Sequence, residues 1–64
     1  MKASARMIAF VKTLPANVRR SAKTQAEVAF HNTFNTSMEV GYSKRISYQH
    51  AEDAAYAELR YLFG

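Results

Sequence analysis

The segment 24–38 constrains the fold more than any other part of this chain, because its apolar residues recur at helical spacing. The residues on the common face are Ala26, Phe30, Thr33, Phe34, Ser37 and Met38. Thr24 and Glu27 form a capping box, a pattern that marks the first turn of a helix. Because each phenylalanine can bury about 150–250 Å², we expect Phe30 and Phe34 to form the centre of the core.

The segment before this helix contains the single proline of the chain and predicts a short helix of its own. Thr13 is a candidate N-cap, and Pro15 fits the first turn, where a missing backbone N–H costs nothing. Leu14 and Val18 then lie one turn apart on the same side, so we expect both in the core. This helix is predicted to end within residues 21–23.

An alanine-rich face in the last third predicts the closing helix, which runs from Ser47 or Tyr48 to Phe63. Ahead of it, Gly41 suits the left-handed end of the central helix. Small alanine side chains allow another helix to approach closely. The core residues predicted on this face are Ala51, Ala55, Leu59 and Leu62.

These segments predict a mainly α, compact three-helix domain over residues 14–64. Residues 1–13 are predicted to form a basic N-terminal extension, either a loop or a short strand. The β-branched and aromatic residues of Met7–Val11 favour a strand weakly. Since Ile46 and Tyr48 alternate with polar neighbours, they could pair with that segment, and a small two-stranded β element is an alternative.

The length of 64 residues allows one domain, which buries only roughly 60% of its unfolded surface. The absence of cysteine excludes a disulfide framework and a thiolate metal site. The apolar run Met7–Val11 is far shorter than the ~20 residues of a membrane span. We expect a cytoplasmic protein of a bacterial or virus-infected cell. A basic organellar transit peptide at the N-terminus is the alternative.

The net charge of +4 is unevenly distributed along the chain. The cations that precede the central helix, with no acid among them, are Lys2, Arg6, Lys12, Arg19, Arg20 and Lys23. Such a basic segment suggests a surface for nucleic acid or for an acidic protein partner, although lopsided charge also serves solubility alone. The candidate binding residues are Arg19, Arg20, Lys23, Lys44 and Arg45.

The tyrosines of the chain allow two interpretations. They are Tyr42, Tyr48, Tyr56 and Tyr61, interleaved with Lys44, Arg45 and Arg60. Aromatic rings among cations can stack on bases while the cations bind phosphates. Alternatively, half-buried tyrosines complete a small core and keep their hydroxyls in water.

The residue patterns of common active sites are not present in the sequence. His31 and His50 lack the cysteines or closely spaced acids of a metal site. His50 with Glu52 and Asp53 could hold a divalent ion loosely, but a solvated helix start is the simpler interpretation. No Ser-His-Asp order and no glycine-rich phosphate loop can be argued. We predict a protein that is not an enzyme and that has no cofactor or metal.

Three blocks of residues follow one another along the chain. They are Leu14-Pro15-x-x-Val18, then Phe30 with Thr33-Phe34-Asn35, then Ala51-x-x-Ala54-Ala55-Tyr56-Ala57-x-Leu59-Arg60. Together they resemble the ChaB family, which has an LPxxV opening, a Tyr/Phe-x-x-Ala-Phe-Asn helix and an alanine-rich closing helix. The resemblance spans residues 14–63. Ser21-Ala22-Lys23 stands where that family usually has a second Leu-Pro.

ChaB proteins are labelled cation-transport (antiporter) regulators in bacteria, and other members occur in viruses of insects and bacteria. The resemblance implies a small non-catalytic accessory or regulatory protein that binds a protein partner, with a phage or viral origin as one expectation. The alternative function is a small DNA- or RNA-binding protein that uses the basic N-terminal third. The identity of the partner and the oligomeric state are left open at this point.

Overall fold

The computed structural model describes residues 4–64, and this part of the chain folds into three α-helices without a strand. The helices are α1 (Ala5–Lys12), α2 (Ala16–Val40) and α3 (Lys44–Phe63). The mainly α, three-helix prediction is confirmed. The alternative strand pair is wrong, because both of its segments are helical. The boundaries of the three helices differ from those predicted.

Helix α2 joins the predicted Leu-Pro helix and the predicted central helix into one element of 25 residues. The predicted start at Thr24 is therefore wrong, since Thr24 lies in the helix interior. Ala22 and Ala26, four residues apart, are 0% and 3% exposed, so one buried stripe runs through the predicted break. Residues 21–23 contain neither glycine nor proline, and extending a nucleated helix is easier than starting a second one.

Residues 5–12 form α1 instead of the predicted loop or strand. The Ser4 hydroxyl caps this helix by accepting a hydrogen bond from the backbone N–H of Met7 at 3.2 Å. Met7 and Val11, one turn apart, are buried beneath it. The β-branched content of the segment is outweighed by this cap and by burial at helical spacing. Residues 1–3 of the predicted extension lie outside the described residues.

The turn between α1 and α2 runs through Thr13, Leu14 and Pro15. Thr13, predicted to start the following helix, instead ends α1, and its hydroxyl donates a hydrogen bond to the Phe10 carbonyl at 2.6 Å. Leu14 is buried. Pro15 occupies the N-cap position of α2.

Helices α2 and α3 form an antiparallel hairpin connected by residues 41–43. Gly41 has φ +110°, a conformation that glycine adopts without a Cβ clash, and its N–H donates to the Met38 carbonyl at 3.1 Å. Ser43 caps α3, since its hydroxyl accepts from the N–H of Ile46 at 3.2 Å. This cap starts α3 earlier than the predicted start at residues 47–48.

The core lies along the seam between α2 and α3 and beneath α1. Its small members are Ala22, Ala26, Ser37, Ser47, Ala51 and Ala55. Phe30 is 5% exposed and meets the Tyr48 ring edge-on at 5.1 Å, while Phe34 stacks on Phe30 at 6.2 Å. Among the predicted core residues, Leu14, Phe30, Ala51, Ala55 and Leu59 are buried, and Val18 and Phe34 are partly buried.

Met38 and Leu62 were predicted in the core and are instead 43% and 46% exposed. Consecutive residues of an α-helix differ by about 100° around its axis. Ser37 takes the position that faces α3, so Met38 points to the side. On α3, Leu59 and Phe63 lie four residues apart toward the core, which leaves Leu62 outward.

Candidate functional site

The five candidate binding residues do not form one surface. Arg19, Arg20 and Lys23 lie in the first two turns of α2, whereas Lys44 and Arg45 start α3. Because the hairpin is antiparallel, these two groups occupy opposite ends of it. The rise of about 1.5 Å per residue from Arg20 to the end of α2 separates them by about 30 Å. The structure therefore offers two separate basic regions.

Arg19 is held by the backbone at the turn between α1 and α2. Its Nε donates to the Leu14 carbonyl at 3.0 Å, and its Nη2 donates to the Lys12 carbonyl at 3.1 Å. The Lys12 carbonyl ends α1 and the Leu14 carbonyl lies in the turn, so a guanidinium is a suitable donor to both. Arg19 is thus bound to the turn that joins the first two helices.

A groove of about 430 Å³ lies between α1 and α2, next to that turn. Apolar side chains form most of its lining: Met7, Ile8 and Val11 from α1, Ala26 from α2, and Leu59 from α3. Met7 and Leu59 are 2% and 0% exposed, so they form the closed floor. Ile8 is 44% exposed and forms an open wall. We call this feature the α1–α2 groove.

The charged lining of the α1–α2 groove is mainly positive. Lys12, Arg19 and Lys23 border it, with Glu27 as the acid. The first turn of α2 carries no acid, so the positive end of its helix dipole is not offset there by a side chain. Over residues 4–64, the ion pairs join Arg6 to Glu52 and Asp53, so neither lysine of the groove is in an ion pair.

Lys12 was not among the binding residues predicted from the sequence. The sequence pattern that could have placed Lys12 at the end of a helix is Ser4 followed by Met7 and Val11. This is an N-cap with two apolar residues one turn apart. Reading that segment as a helix would have placed Lys12 in its last turn, beside the first turn of the next helix. Short apolar runs do not distinguish a helix from a strand by periodicity alone.

At the opposite end of the hairpin, Ser37 and His50 join α2 to α3. The Ser37 Oγ lies 2.7 Å from the His50 Nδ1, and the Tyr42 ring meets His50 edge-on at 5.0 Å. A hydroxyl next to an imidazole is also part of a nucleophilic dyad. Ser37, however, is 7% exposed and lies within α2, where backbone N–H groups are bonded along the helix. The geometry fits a contact between helices.

A polar cluster fastens α1 to α3. Arg6 Nη2 and Nε donate to the Glu52 carboxylate at 2.6 and 2.7 Å, Arg6 also binds Asp53, and Ser4 Oγ donates to Glu52 at 2.8 Å. The hydrogen bonds from Arg6 hold the pKa of Glu52 below its ordinary value, against the effect of partial burial, and the Ser4 bond adds to the lowering. The same carboxylates raise the pKa of Arg6.

This cluster changes the interpretation of the acids near His50. Glu52 and Asp53 were considered with His50 as a loose cation site, but their oxygens are directed to Arg6. Within residues 4–64, no group of three or more His, Cys, Asp or Glu side chains is arranged to hold a metal ion.

The tyrosines are distributed over several environments. The guanidinium of Arg6 lies 4.4 Å from the centre of the Tyr56 ring, and that of Arg60 lies 5.8 Å from it. Tyr48 is half-buried against Phe30. Tyr42 and Tyr61 are exposed, at the hairpin turn and near the C-terminal end of α3. These positions do not bring the four rings together as one stacking surface.

Searches of protein-family models, curated proteins and solved structures find no match to this chain. In the described part of the chain, no helix is long and apolar enough to cross a membrane.

Proposed function

We propose that this chain is a small, non-catalytic accessory protein that acts by binding a protein partner, the kind of function that the ChaB resemblance implies. The observation that carries the proposal is the α1–α2 groove, whose apolar lining is bordered by Lys12 and Lys23. The groove offers a protein partner the exposed side chain of Ile8 to bury, with cations beside it. The burial of Ser37 supports the interpretation of its contact with His50 as one that joins two helices, in keeping with a non-catalytic protein.

Nucleic-acid binding is the second candidate function. It is favoured by the exposure of Arg20, Lys23, Lys44 and Arg45, none of which is in an ion pair with another residue of the range 4–64. Phosphate binding is driven by such cations. Against it, the cations are divided between two ends of the hairpin, and an apolar groove adds nothing to contact with phosphates. The protein partner therefore has the stronger support.

Affinity capture with matched variants tests the proposal. The immobilised chain is exposed to lysate of its source cells with and without nuclease, beside K12E/K23E and K44E/R45E. Both variants change the charge equally, at opposite ends of the hairpin. We expect a discrete protein that survives nuclease treatment, is lost with K12E/K23E and is kept with K44E/R45E. Circular dichroism establishes that both variants are folded.

The second function makes the opposite prediction in a direct binding assay. Duplex and single-stranded DNA and RNA are titrated at about 50 mM salt and then at rising salt, where affinity should fall with a slope near −0.9 per neutralised phosphate of duplex DNA. Capture that nuclease abolishes, together with such a slope, would overturn the protein-partner proposal in favour of nucleic-acid binding. No retention on any strand at low salt excludes the second function.

A further inference from the structure

We infer that the α1–α2 groove receives an amphipathic helix of the partner, with carboxylates on both sides of its apolar stripe. This inference rests on the proposed protein-binding function and specifies the chemistry of the partner. Helix-in-groove recognition uses apolar anchors spaced at i, i+3 or i+4, and i+7. The lining, the length and the charge of the groove all favour such an occupant.

The lining provides a binding surface that the fold leaves open. Met7 and Leu59 close the floor, so an occupant does not reach the interior of the domain. Ile8 is 44% exposed on the α1 wall of the groove. On α2 the small side chain of Ala26 leaves space for an occupant. Covering Ile8 would remove apolar surface from water, which favours association. An occupant with aliphatic side chains along one face matches this surface.

The length of the groove matches a short helical segment. On α2 its lining runs from Arg19 to Glu27, which corresponds to about 12 Å of helix at 1.5 Å per residue. About two turns of a partner helix fit that distance. Two or three apolar anchors would therefore enter the groove, a number that is usual for this mode of recognition.

The charges at the rim determine which helix fits. Lys12 and Lys23 lie on the rim from different helices, and neither is in an ion pair with another residue of the range 4–64. The N-terminal end of α2 adds positive potential on the same side. Carboxylates beside the apolar stripe would pair with both lysines. Glu27 would repel an acid at its end of the groove and so favour one direction of the partner helix.

The test uses a synthetic peptide of about 14 residues with leucines at helical spacing and glutamates on both flanks. One control peptide carries lysine in place of every glutamate, and another has the same composition in scrambled order. Binding is followed by the NMR amide shifts of the whole chain. We expect the acidic amphipathic peptide to shift Ile8, Val11 and Ala26, and to bind at least about tenfold more tightly than either control.

Charge exchange makes the test specific for the groove. K12E/K23E should no longer bind the acidic peptide and should bind the lysine peptide instead. K44E/R45E should bind both peptides as the native chain does. Sodium dodecanoate, an anion with a single aliphatic chain, is titrated separately to test whether the groove binds such an anion instead of a helix. The inference is overturned by equal binding of the scrambled peptide, by shifts confined to the hairpin turn, by the absence of any peptide shift, or by dodecanoate shifting the groove residues without the peptide doing so.

The capture experiment separates this failure from that of the proposed function. If a protein partner is retained by the native chain and lost with K12E/K23E while the acidic peptide does not bind, the function stands and the helical partner is wrong. If nuclease abolishes all capture, the proposed function itself fails.

Discussion

The seam between α2 and α3 is lined by small side chains along much of its length, whereas α1 is attached by three apolar side chains and a polar cluster. In the seam, residues such as Ala22 and Ala55 are fully buried, which requires the two helix backbones to lie close together. Helix α1 contributes Met7 and Val11 to the core, places Phe10 edge-on against the Tyr56 ring at 6.2 Å, and adds Arg6 to the polar cluster. The hairpin depends on close approach along its length, and α1 depends on a few anchors.

The difference is relevant to function, because one wall of the α1–α2 groove belongs to the less firmly attached element. Stability within a protein is uneven, and elements with few buried contacts open most readily. A helix of 8 residues held by a few anchors can adjust to an occupant while the hairpin keeps its shape.

Leu59→Ala should destabilise the whole domain. Leu59 is fully buried on α3 and closes the groove floor with Met7 of α1, so its truncation leaves a cavity where the three helices meet. We expect a loss of about 2–5 kcal/mol in the free energy of unfolding, which is a large part of the stability of a small domain. Urea denaturation followed by circular dichroism measures it. Leu62→Ala, on the exposed side, is the control and should change stability by about 0.5 kcal/mol or less.

Met7→Ala should release α1 and leave the hairpin folded. The side chain is 2% exposed and is one of two buried residues of α1. We expect hydrogen exchange of the amides in residues 5–12 to become fast, while those of α2 and α3 remain protected. Ile8→Ala, on the groove wall, is the matched control. Equal loss of protection in all three helices would contradict the division of the molecule into a hairpin and an attached helix.

Breaking the ion pair between Arg6 and Glu52 should lower the free energy of unfolding less than the two changes above, by an amount that depends on pH. Because the pKa of Glu52 is lowered in the folded chain, its contribution to stability is present above the ordinary pKa and disappears as the pH falls through the lowered value. Glu52→Gln should therefore be less stable than the native chain at neutral pH, and the gap should narrow in acid. Urea midpoints at several pH values measure this gap. A gap that is constant with pH would show that the ion pair does not stabilise the attachment of α1.

Much of the helical content was predictable from local spacing. Phe30 and Phe34 lie about one turn apart on α2, and the alanine face of α3 contains Ala51 and Ala55, both fully buried. The helix boundaries were less predictable, because the capping signal at Thr24 was outweighed by a buried stripe that continues toward the N-terminus. Helix α3 was predicted to begin at Ser47 or Tyr48, whereas Ser43 caps it, which leaves Ser47 buried in the seam.

The candidate site was predictable only in part. The basic character of the N-terminal third was evident in the sequence, but its division from Lys44 and Arg45 required the antiparallel hairpin. Arg19 could not be assigned to the turn without knowing that α1 is a helix with unpaired carbonyls. Lys12 could not be placed at the groove from the sequence either, because its position there depends on α1 being a helix.

The order of apolar and polar residues was enough to specify a chain of amphipathic helices, because helix formation depends on neighbours three or four positions away. Which helices merge, which side of each faces inward, and which cations share a rim depend on contacts between residues distant in sequence. Ile8 of α1 and Lys23 of α2 border one groove only because α1 folds back against the hairpin. Local spacing carries no information about such a contact, whereas packing in three dimensions fixes it.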